Sequence, residues 1–197
     1  MASLPDLLSH LFDNNHMTRS RFYDPFHVAR AAGIRAGHTV VDLLAGHMGH
    51  VTFPAAELAG SSGRIYAIDL RPGAIESIRG RCQLGYKGCI EPIHAHMERV
   101  GGVPLENGIA DTVLLVDALS LLQNRLDVVR EAVRLLKSRG VLAVVDWHPY
   151  GEATHGPVMA LRLTEQEACS LCLVCDLEYE GAFDAGEFHY GFTCRRV

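Results

Sequence analysis

Short apolar runs alternate with amphipathic stretches along most of the chain. Apolar, β-branched runs of this length are typical of strands buried on both faces of a parallel sheet. The runs that predict strands are Thr39 to Leu43, Arg64 to Asp69, Ile90 to His94, Asp111 to Val116 and Val141 to Trp147. Helices are predicted between them over residues 51–58, 71–85 and 127–136. This alternation predicts an α/β protein with a doubly wound, mostly parallel sheet.

The two ends of the chain differ from this alternation. Residues 4–12 and 24–32 predict short helices before the first strand, so we expect one domain with a helical cover over 1–36 and a core over 37–197. Near the other end, Thr164 and Glu167 predict a capping box at the start of a last helix. Residues 177–183 and 188–196 read as two strands with no helix between them. They predict a hairpin whose last strand inserts antiparallel at the sheet edge.

Composition narrows the classes of function. The chain has 197 residues and a formal net charge of −5, which argues against a nucleic-acid partner and favours a small-molecule substrate. No signal-peptide pattern opens the chain, and no apolar run approaches the roughly 18 residues that a membrane span needs. We therefore expect a cytoplasmic protein without membrane contact, in which the six cysteines are reduced. A homo-oligomer is compatible with the sequence.

The first strand leads into a turn suited to a cofactor. Asp42 closes the strand, and Gly46 and Gly49 follow at positions where a backbone without Cβ can approach a ligand. The next strand ends in a second carboxylate, Asp69, one strand–helix–strand unit later, where an acid can accept both ribose hydroxyls of a nucleoside. The alternative is that both carboxylates only cap helices.

The order of the elements and the residues at the strand ends resemble the class I S-adenosylmethionine-dependent methyltransferases, in particular the small, single-domain, menaquinone-biosynthesis-like type. The resemblance runs from about residue 22 to residue 197 and is carried by the segments FYDPFHVARAAGIRAGHTVVDLLAG, GRIYAIDLRPGAIE, IADTVLLVDAL and REAVRLLKSRGVLAVVDWHP. It implies a Rossmann-like methyltransferase fold, S-adenosyl-L-methionine as the cofactor, and methyl transfer to a small-molecule acceptor.

The resemblance also implies which residues contact the cofactor. They are Asp42, Ala45, Gly46, Gly49, Asp69, Leu70, His96 and Asp117. In this assignment Asp42 organises the first turn, and Gly46 and Gly49 leave room for the methionine part of the cofactor. Asp69 holds the ribose hydroxyls, and Asp117 lies beside the methionine end, where an acceptor enters.

Three features depart from the pattern of the family. Leu44 stands where the family has glycine, so a branched side chain lies where the cofactor normally meets bare backbone. The turn AGHMGHVT is one residue longer than the usual form. His96 stands where the family has an acid near the adenine amine, and a neutral imidazole can still accept that hydrogen bond.

Several histidines follow predicted strands and would meet at the carboxyl edge of the sheet. His47 and His50 follow the first strand, and His94 and His96 follow the third. Converging imidazoles suit a metal ion or a haem, so the alternative function is a catalytically divergent methyltransferase-fold protein that binds such a ligand. The simpler interpretation is that they are scattered polar loop residues.

Other residues near the strand ends bear on catalysis. An oxygen or nitrogen acceptor would need a base, for which Asp117 and His148 are the candidates, and Asp146 could orient the ring of His148. Trp147 and Tyr150 either shape an acceptor pocket or only pack. A further alternative is a non-catalytic protein that stabilises an enzyme partner.

The cysteines of the last predicted helix recur every three residues. They are Cys169, Cys172 and Cys175, and they alternate with leucine and valine as small core residues do. A metal site there would need a fourth ligand that the sequence does not identify.

Overall fold

The computed structural model describes residues 22–85, 89–150 and 156–197. These residues form a seven-stranded sheet in the order β3-β2-β1-β4-β5-β7-β6. The strands are β1 Thr39–Leu43, β2 Arg64–Asp69, β3 Ile90–His94, β4 Ala110–Val116, β5 Leu136–Trp147, β6 Leu177–Phe183 and β7 His189–Arg196. The helices are α1 Pro25–Ala31, α2 Thr52–Ala59, α3 Pro72–Gly85, α4 Arg125–Leu135 and α5 Glu165–Leu173, with a 3-10 turn at Met159–Leu161. The predicted α/β fold with a mostly parallel, doubly wound sheet is confirmed.

The strand order reverses at β1. This strand pairs in parallel with β2 on one side and with β4 on the other, so the connections leave the sheet in opposite directions from this point. In open α/β sheets, ligands bind in the crevice that such a reversal opens at the carboxyl ends of the strands. The crevice here lies beyond the ends of β1 and β4, which are followed by Leu44 and Asp117.

The closing hairpin is confirmed, but its strands are arranged differently from the prediction. β7 pairs antiparallel with both β5 and β6, so the last strand lies inside the sheet and β6 forms the edge. Burial gives the reason, because five of the eight residues of β7 are buried whereas four of the seven residues of β6 are exposed. This arrangement brings His189, the first residue of β7, beside Trp147 at the end of β5.

The fifth strand is longer than predicted. The sequence places its start after Gly140, but the strand begins at Leu136, which pairs with Ala110 before the register shifts. Arg139 has a φ of 64° in this irregular part. A Cβ at Gly140 would lie 2.9 Å from the carbonyl oxygen of Lys137, so glycine is needed for the bend and does not end the strand.

Both predicted helix caps in the described part of the chain are present. The carboxylate of Asp24 accepts a hydrogen bond from Phe26 N at 2.9 Å, with Pro25 in the first turn of α1. Thr164 and Glu167 form the capping box of α5. The helix predicted over residues 4–12 lies outside the described residues, so the helical cover over 1–36 stays a prediction.

Cys169 and Cys172 of α5, and Cys175 just after this helix, pack as core residues. Cys172 and Cys175 belong to the main apolar cluster, and Cys169 packs against it. A contact with Cys194 of β7 and burial both raise the pKa of the Cys172 thiol. In residues 22–85, 89–150 and 156–197, no three or more His, Cys, Asp or Glu side chains are grouped so as to hold a metal ion. No helix in these ranges is long and apolar enough to cross a membrane.

A buried ion pair anchors the loop that leads into β4. Glu131 of α4 is fully buried and accepts hydrogen bonds from Gly101 N at 2.7 Å and Val103 N at 2.9 Å. The guanidinium of Arg134 meets the same carboxylate at 2.8 Å and also donates to the carbonyl oxygens of Val103 and Leu105. Burial alone would raise the pKa of Glu131, but these hydrogen bonds outweigh burial and lower it.

Glu131→Gln is expected to lower the free energy of unfolding by about 3 kcal/mol, because the substitution leaves the partly buried guanidinium of Arg134 without its carboxylate partner. Urea denaturation measures this change. The matched control is Glu76→Gln, which breaks the exposed pair with Arg79 at the same helical spacing and should cost less than about 0.5 kcal/mol. Equal effects of the two substitutions would contradict the anchoring role of Glu131.

Candidate active site

A cavity of about 130 Å³ opens at the reversal point of the sheet. Its lining contains four of the eight residues predicted to contact a cofactor, namely Asp42, Ala45, Gly46 and Asp117. Leu44, Arg71 and Tyr23 line it as well. Asp69 lies directly behind Arg71, whereas within the described residues Gly49, Leu70 and His96 are outside the lining. The structure therefore brings together the first turn and the ends of β1 and β4.

The turn after β1 keeps a glycine-like backbone at Leu44. The φ of Leu44 is 86° and that of Gly46 is 69°. A branched residue rarely adopts this conformation, because its Cβ crowds the following carbonyl group. Two hydrogen bonds hold it, since Leu44 N and Ala45 N both donate to Ile68 O, at 3.0 and 2.9 Å. The position at which the family pattern expects glycine thus has the geometry that favours glycine.

The two glycines of the turn have different surroundings. A Cβ added to Gly46 would meet no atom within 4 Å, so the space beside this residue is open to a ligand. A Cβ at Gly49 would lie 3.0 Å from the ring of Phe53, so packing against α2 explains this glycine. The prediction that Gly49 leaves room for the cofactor therefore has no support in the geometry of the turn.

Asp69 is the last residue of β2, and each oxygen of its carboxylate accepts two hydrogen bonds. Its Oδ1 accepts from Arg71 N at 2.9 Å and Arg71 Nε at 3.0 Å. Its Oδ2 accepts from Gly46 N at 2.9 Å and Arg71 Nη2 at 3.0 Å. Burial alone would raise the pKa of Asp69, but these hydrogen bonds outweigh it and lower the pKa. The Arg71 side chain is 48% exposed, so it can turn away into solvent while the backbone contacts remain.

Asp42 is the buried acid at the base of the turn. Its Oδ2 accepts a hydrogen bond from the hydroxyl of Thr52 at 2.6 Å. Burial, with a smaller contribution from the charge of Asp69, raises the pKa of Asp42 to about 6, although Thr52 opposes the shift. The hydroxyl of the first residue of α2 therefore ties β1 to that helix and fixes the entry of the turn.

The raised pKa of Asp42 predicts a pH-dependent cost to stability. Between pH 4 and 6 the folded protein keeps a proton that the unfolded chain releases, so the free energy of unfolding contributed by Asp42 falls as the pH rises through this window. Asp42→Asn is expected to raise the free energy of unfolding above pH 6 by about 3 kcal/mol and to have little effect at pH 4. Denaturant titrations of both proteins across this range measure the difference, and a constant difference would contradict the prediction.

A second cavity, of about 360 Å³, adjoins the first. Phe22, Tyr23, Pro25 and Trp147 give it an apolar wall, and Asp117 lines both cavities. Trp147 therefore lies where the sequence suggested an acceptor pocket. The ring of Phe22 contacts that of Trp147 edge-on at 6.1 Å between centroids.

The predicted pair of Asp146 and His148 is wrong. Asp146 is buried and accepts hydrogen bonds from Ser120 N at 3.0 Å, Trp147 N at 2.8 Å and the Ser120 hydroxyl, so it faces away from His148. The ring of His148 stacks on Tyr150, with 5.8 Å between the centroids. Burial lowers the pKa of His148. The histidine that the structure brings to Asp117 is His189, at 3.2 Å.

The four histidines of the metal hypothesis do not converge. The Nε2 of His94 bonds the carbonyl oxygen of Leu70 at 3.0 Å, and the rings of His94 and His96 lie 6.1 Å apart. His50 lines both cavities, but His47 lies beside α3, where its carbonyl oxygen accepts from Ser77. Strand-end positions alone suggested one site, whereas the side chains spread along the edge of the sheet.

Three residues at the site were missed or only weakly indicated by the sequence. Arg71 lies two residues after the acid of β2, but this spacing does not reveal that its side chain turns back to that acid. Tyr23 and His189 come from opposite ends of the chain, and no local pattern connects either of them to Asp117.

Comparison with known proteins agrees with this architecture. The sequence matches the methyltransferase domain family over residues 41–144, just over half of the chain. A relative, the ubiquinone/menaquinone biosynthesis C-methyltransferase of Pseudomonas fluorescens, is 27% identical over 149 residues, or 75% of this chain and 55% of the relative. The chain thus spans about half the length of the curated relatives that it matches.

Solved structures share the fold over nearly the whole chain. A SAM-dependent methyltransferase from Aquifex aeolicus superimposes with a TM-score of 0.81 at 20% identity, covering 100% of both chains. An arsenic(III) S-adenosylmethionine methyltransferase from Chlamydomonas reinhardtii gives a TM-score of 0.65 at 22% identity, covering 98% of this chain and 74% of the other. The fold is that of the class I S-adenosylmethionine-dependent methyltransferases, and by its sequence match the chain belongs to the methyltransferase domain family.

Proposed function

We propose that the protein binds S-adenosyl-L-methionine at the end of β1 and transfers its methyl group to a small-molecule acceptor. The observation that carries this proposal is the turn after β1. Leu44 keeps the left-handed backbone expected of the family's glycine, and Gly46, whose Cβ side is open, donates its N–H to the carboxylate of Asp69. A turn with this strain is rare unless a site requires it.

The residues present fit the cofactor once one side chain moves. The carboxylate of Asp69 would accept the ribose hydroxyls after Arg71 turns into solvent, with Gly46 N still holding one oxygen. The methionine part would pass the open side of Gly46 towards Asp117. Leu44 narrows this path, because its side chain lines the same cavity.

The bound cofactor would supply a methyl group on a sulfonium, which is already an activated leaving group. The chain's own residues would therefore act mainly by positioning the two reactants. The turn and Asp69 would orient the cofactor, and the wall of Phe22, Tyr23 and Trp147 would exclude water from the acceptor side. The family match and the fold of the solved methyltransferases support this assignment.

Titration calorimetry with S-adenosylhomocysteine tests the proposal. The native chain is expected to bind this product with a dissociation constant in the micromolar range. The product reports on the site of the methyl donor because both would make the same contacts to Asp69. Failure of the native chain and of variants with an unobstructed turn to bind either S-adenosylhomocysteine or S-adenosylmethionine would overturn it. The alternative, a divergent protein that binds another ligand in the same crevice, would then take its place.

A further inference from the structure

Asp117 stands at the junction of the two cavities and lines both of them. We propose that Asp117, held in place by His189 and Tyr23, is the general base that takes a proton from a hydroxyl acceptor bound in the aromatic cavity. This inference rests on the proposed function, because it assumes that the methyl group arrives from the neighbouring cavity. It adds the class of acceptor and names His189 as a positioning residue.

The two oxygens of the Asp117 carboxylate have different surroundings. Oδ2 accepts a hydrogen bond from the hydroxyl of Tyr23 at 3.0 Å. Oδ1 is buried and lies 3.2 Å from Nε2 of His189. The Asp117 side chain as a whole is 31% exposed, but Oδ1 does not contribute to this exposed surface. A ligand therefore approaches the carboxylate from the side of Oδ2.

Tyr23 acts towards Asp117 as a hydrogen-bond donor. Burial and, after it, the negative charge of Asp117 raise the pKa of Tyr23, so the phenol keeps its proton and continues to donate. A carboxylate with one donor retains free acceptor capacity on the same oxygen. The hydroxyl of an acceptor can occupy that remaining position.

His189 is buried beside Asp117 with unused hydrogen-bonding capacity. Within the described residues, neither its Nδ1 nor its Nε2 has a hydrogen-bond partner, and Oδ1 of Asp117 also lacks one. Its ring is surrounded by aromatic rings, with centroid distances of 4.2 Å to Trp147, 5.1 Å to Tyr23 and 6.3 Å to Phe22. Buried polar groups without partners are rare and need an explanation, of which a catalytic role is one. The imidazole of His189 packs against Oδ1 of Asp117 and leaves Oδ2 accessible to a ligand.

The cavity defines the acceptor. Its wall of aromatic rings and proline suits an apolar body, and Asp117 is the carboxylate in its lining. An anionic group beside this carboxylate would be repelled. The free position on Oδ2 accepts one hydrogen bond, which a neutral hydroxyl can donate without placing a second anion beside the carboxylate.

The proposed step balances in atoms and charge. As the acceptor oxygen forms its bond to the methyl carbon, the carbon–sulfur bond breaks and leaves its electron pair on sulfur. The proton of the hydroxyl passes to the carboxylate of Asp117. The positive charge of the sulfonium thus ends as a proton on Asp117, which then passes to solvent.

The test uses para-cresol and para-thiocresol as probes of the same shape. The thiol ionises near neutral pH without a base, whereas the phenol needs one to react quickly. Asp117→Asn is expected to slow methylation of the phenol by about 100-fold and that of the thiol by less than about 3-fold. His189→Gln should lower kcat for the phenol by about 10-fold with KM unchanged. Asp127→Asn, an exposed carboxylate on α4, is the matched control and should change neither rate.

A second readout needs no turnover. With S-adenosylhomocysteine present and at a pH below neutral, where free para-nitrophenol is protonated, para-nitrophenol bound to the native chain should absorb closer to the phenolate spectrum, because its hydroxyl donates to a carboxylate. Asp117→Asn should abolish this shift while the probe still quenches the fluorescence of Trp147, the single tryptophan of the chain. Binding without a shift in the native protein would overturn the proposal, as would equal rate losses for the two probes.

The two proposals fail separately. Absence of S-adenosylhomocysteine and S-adenosylmethionine binding, in the native chain and in variants with an unobstructed turn, overturns the cofactor assignment and the acceptor assignment with it. Binding of S-adenosylhomocysteine without binding or methylation of either probe overturns the hydroxyl-acceptor assignment and leaves the cofactor assignment standing.

Discussion

Asp69→Asn is expected to weaken the binding of S-adenosylhomocysteine by about 100-fold or more. The reason is that an amide replaces a carboxylate that would accept both ribose hydroxyls, and hydrogen bonds to a charged group contribute about 1.5 to 3 kcal/mol each. Calorimetry on folded protein measures the loss, and circular dichroism confirms that the fold persists. An affinity within about 3-fold of the native value would remove Asp69 from the site.

Arg71→Ala is the matched control for this substitution. Both changes break the ion pair between the two residues, but only Asp69→Asn replaces one of the two acceptor oxygens with an NH2 donor. Because the Arg71 guanidinium competes with a ribose for the carboxylate, Arg71→Ala should bind S-adenosylhomocysteine at least as tightly as the native chain. If both variants lost affinity equally, the ion pair itself, and not the carboxylate, would be the feature that matters.

The strands could be predicted closely because each buried strand carries its own local signal. β1 and β2 begin and end at the predicted residues, because apolar, β-branched runs are bounded there by glycine or by polar turns, and so do β3 and the mostly exposed β6. β3 tolerates Pro92 because it is an edge strand that pairs with β2 alone. The start of β5 was missed because Gly140 normally marks a turn, and the order of β6 and β7 was missed because a hairpin can join a sheet by either strand.

Only those residues of the site that lie at the ends of strands could be predicted from the sequence. Asp42 and Asp117 line the cavity as expected, because the ends of adjacent parallel strands must meet at one edge. The pairing of Asp69 with Arg71 depends on the direction of a side chain, which spacing does not reveal. His189 reaches Asp117 only because β7 inserts next to β5, a consequence of topology that no local motif of the sequence contains.

At Leu44 the sequence and the structure give complementary information about the site. The sequence showed a leucine where the resemblance expects glycine, which suggests that the site is obstructed. The structure adds that the backbone remains in the left-handed region, with a φ of 86°, and that the side chain packs partly against the main core. The obstruction is therefore a single side chain on an otherwise retained turn, so one substitution should remove it.

Leu44→Gly is expected to tighten the binding of S-adenosylhomocysteine by about 10-fold, because the substitution removes a side chain from the wall of the cavity and leaves the turn intact. That factor corresponds to about 1.4 kcal/mol. Its effect on the free energy of unfolding should be small, since relief of about 1 kcal/mol of backbone strain offsets a similar loss of apolar packing. Calorimetry and urea denaturation measure the two quantities.

Leu44→Ala separates the side chain from the backbone. It clears most of the cavity but keeps a Cβ in the left-handed conformation, so it should bind S-adenosylhomocysteine nearly as well as Leu44→Gly and unfold with about 1 kcal/mol less free energy. Leu121→Ala widens the same cavity away from the turn and should change affinity by less than about 3-fold. If Leu44→Gly bound S-adenosylhomocysteine more weakly than the native chain, the leucine side chain would be a favourable contact for the ligand and not an obstruction. Removing an obstruction cannot lower the affinity, whereas removing a favourable contact does.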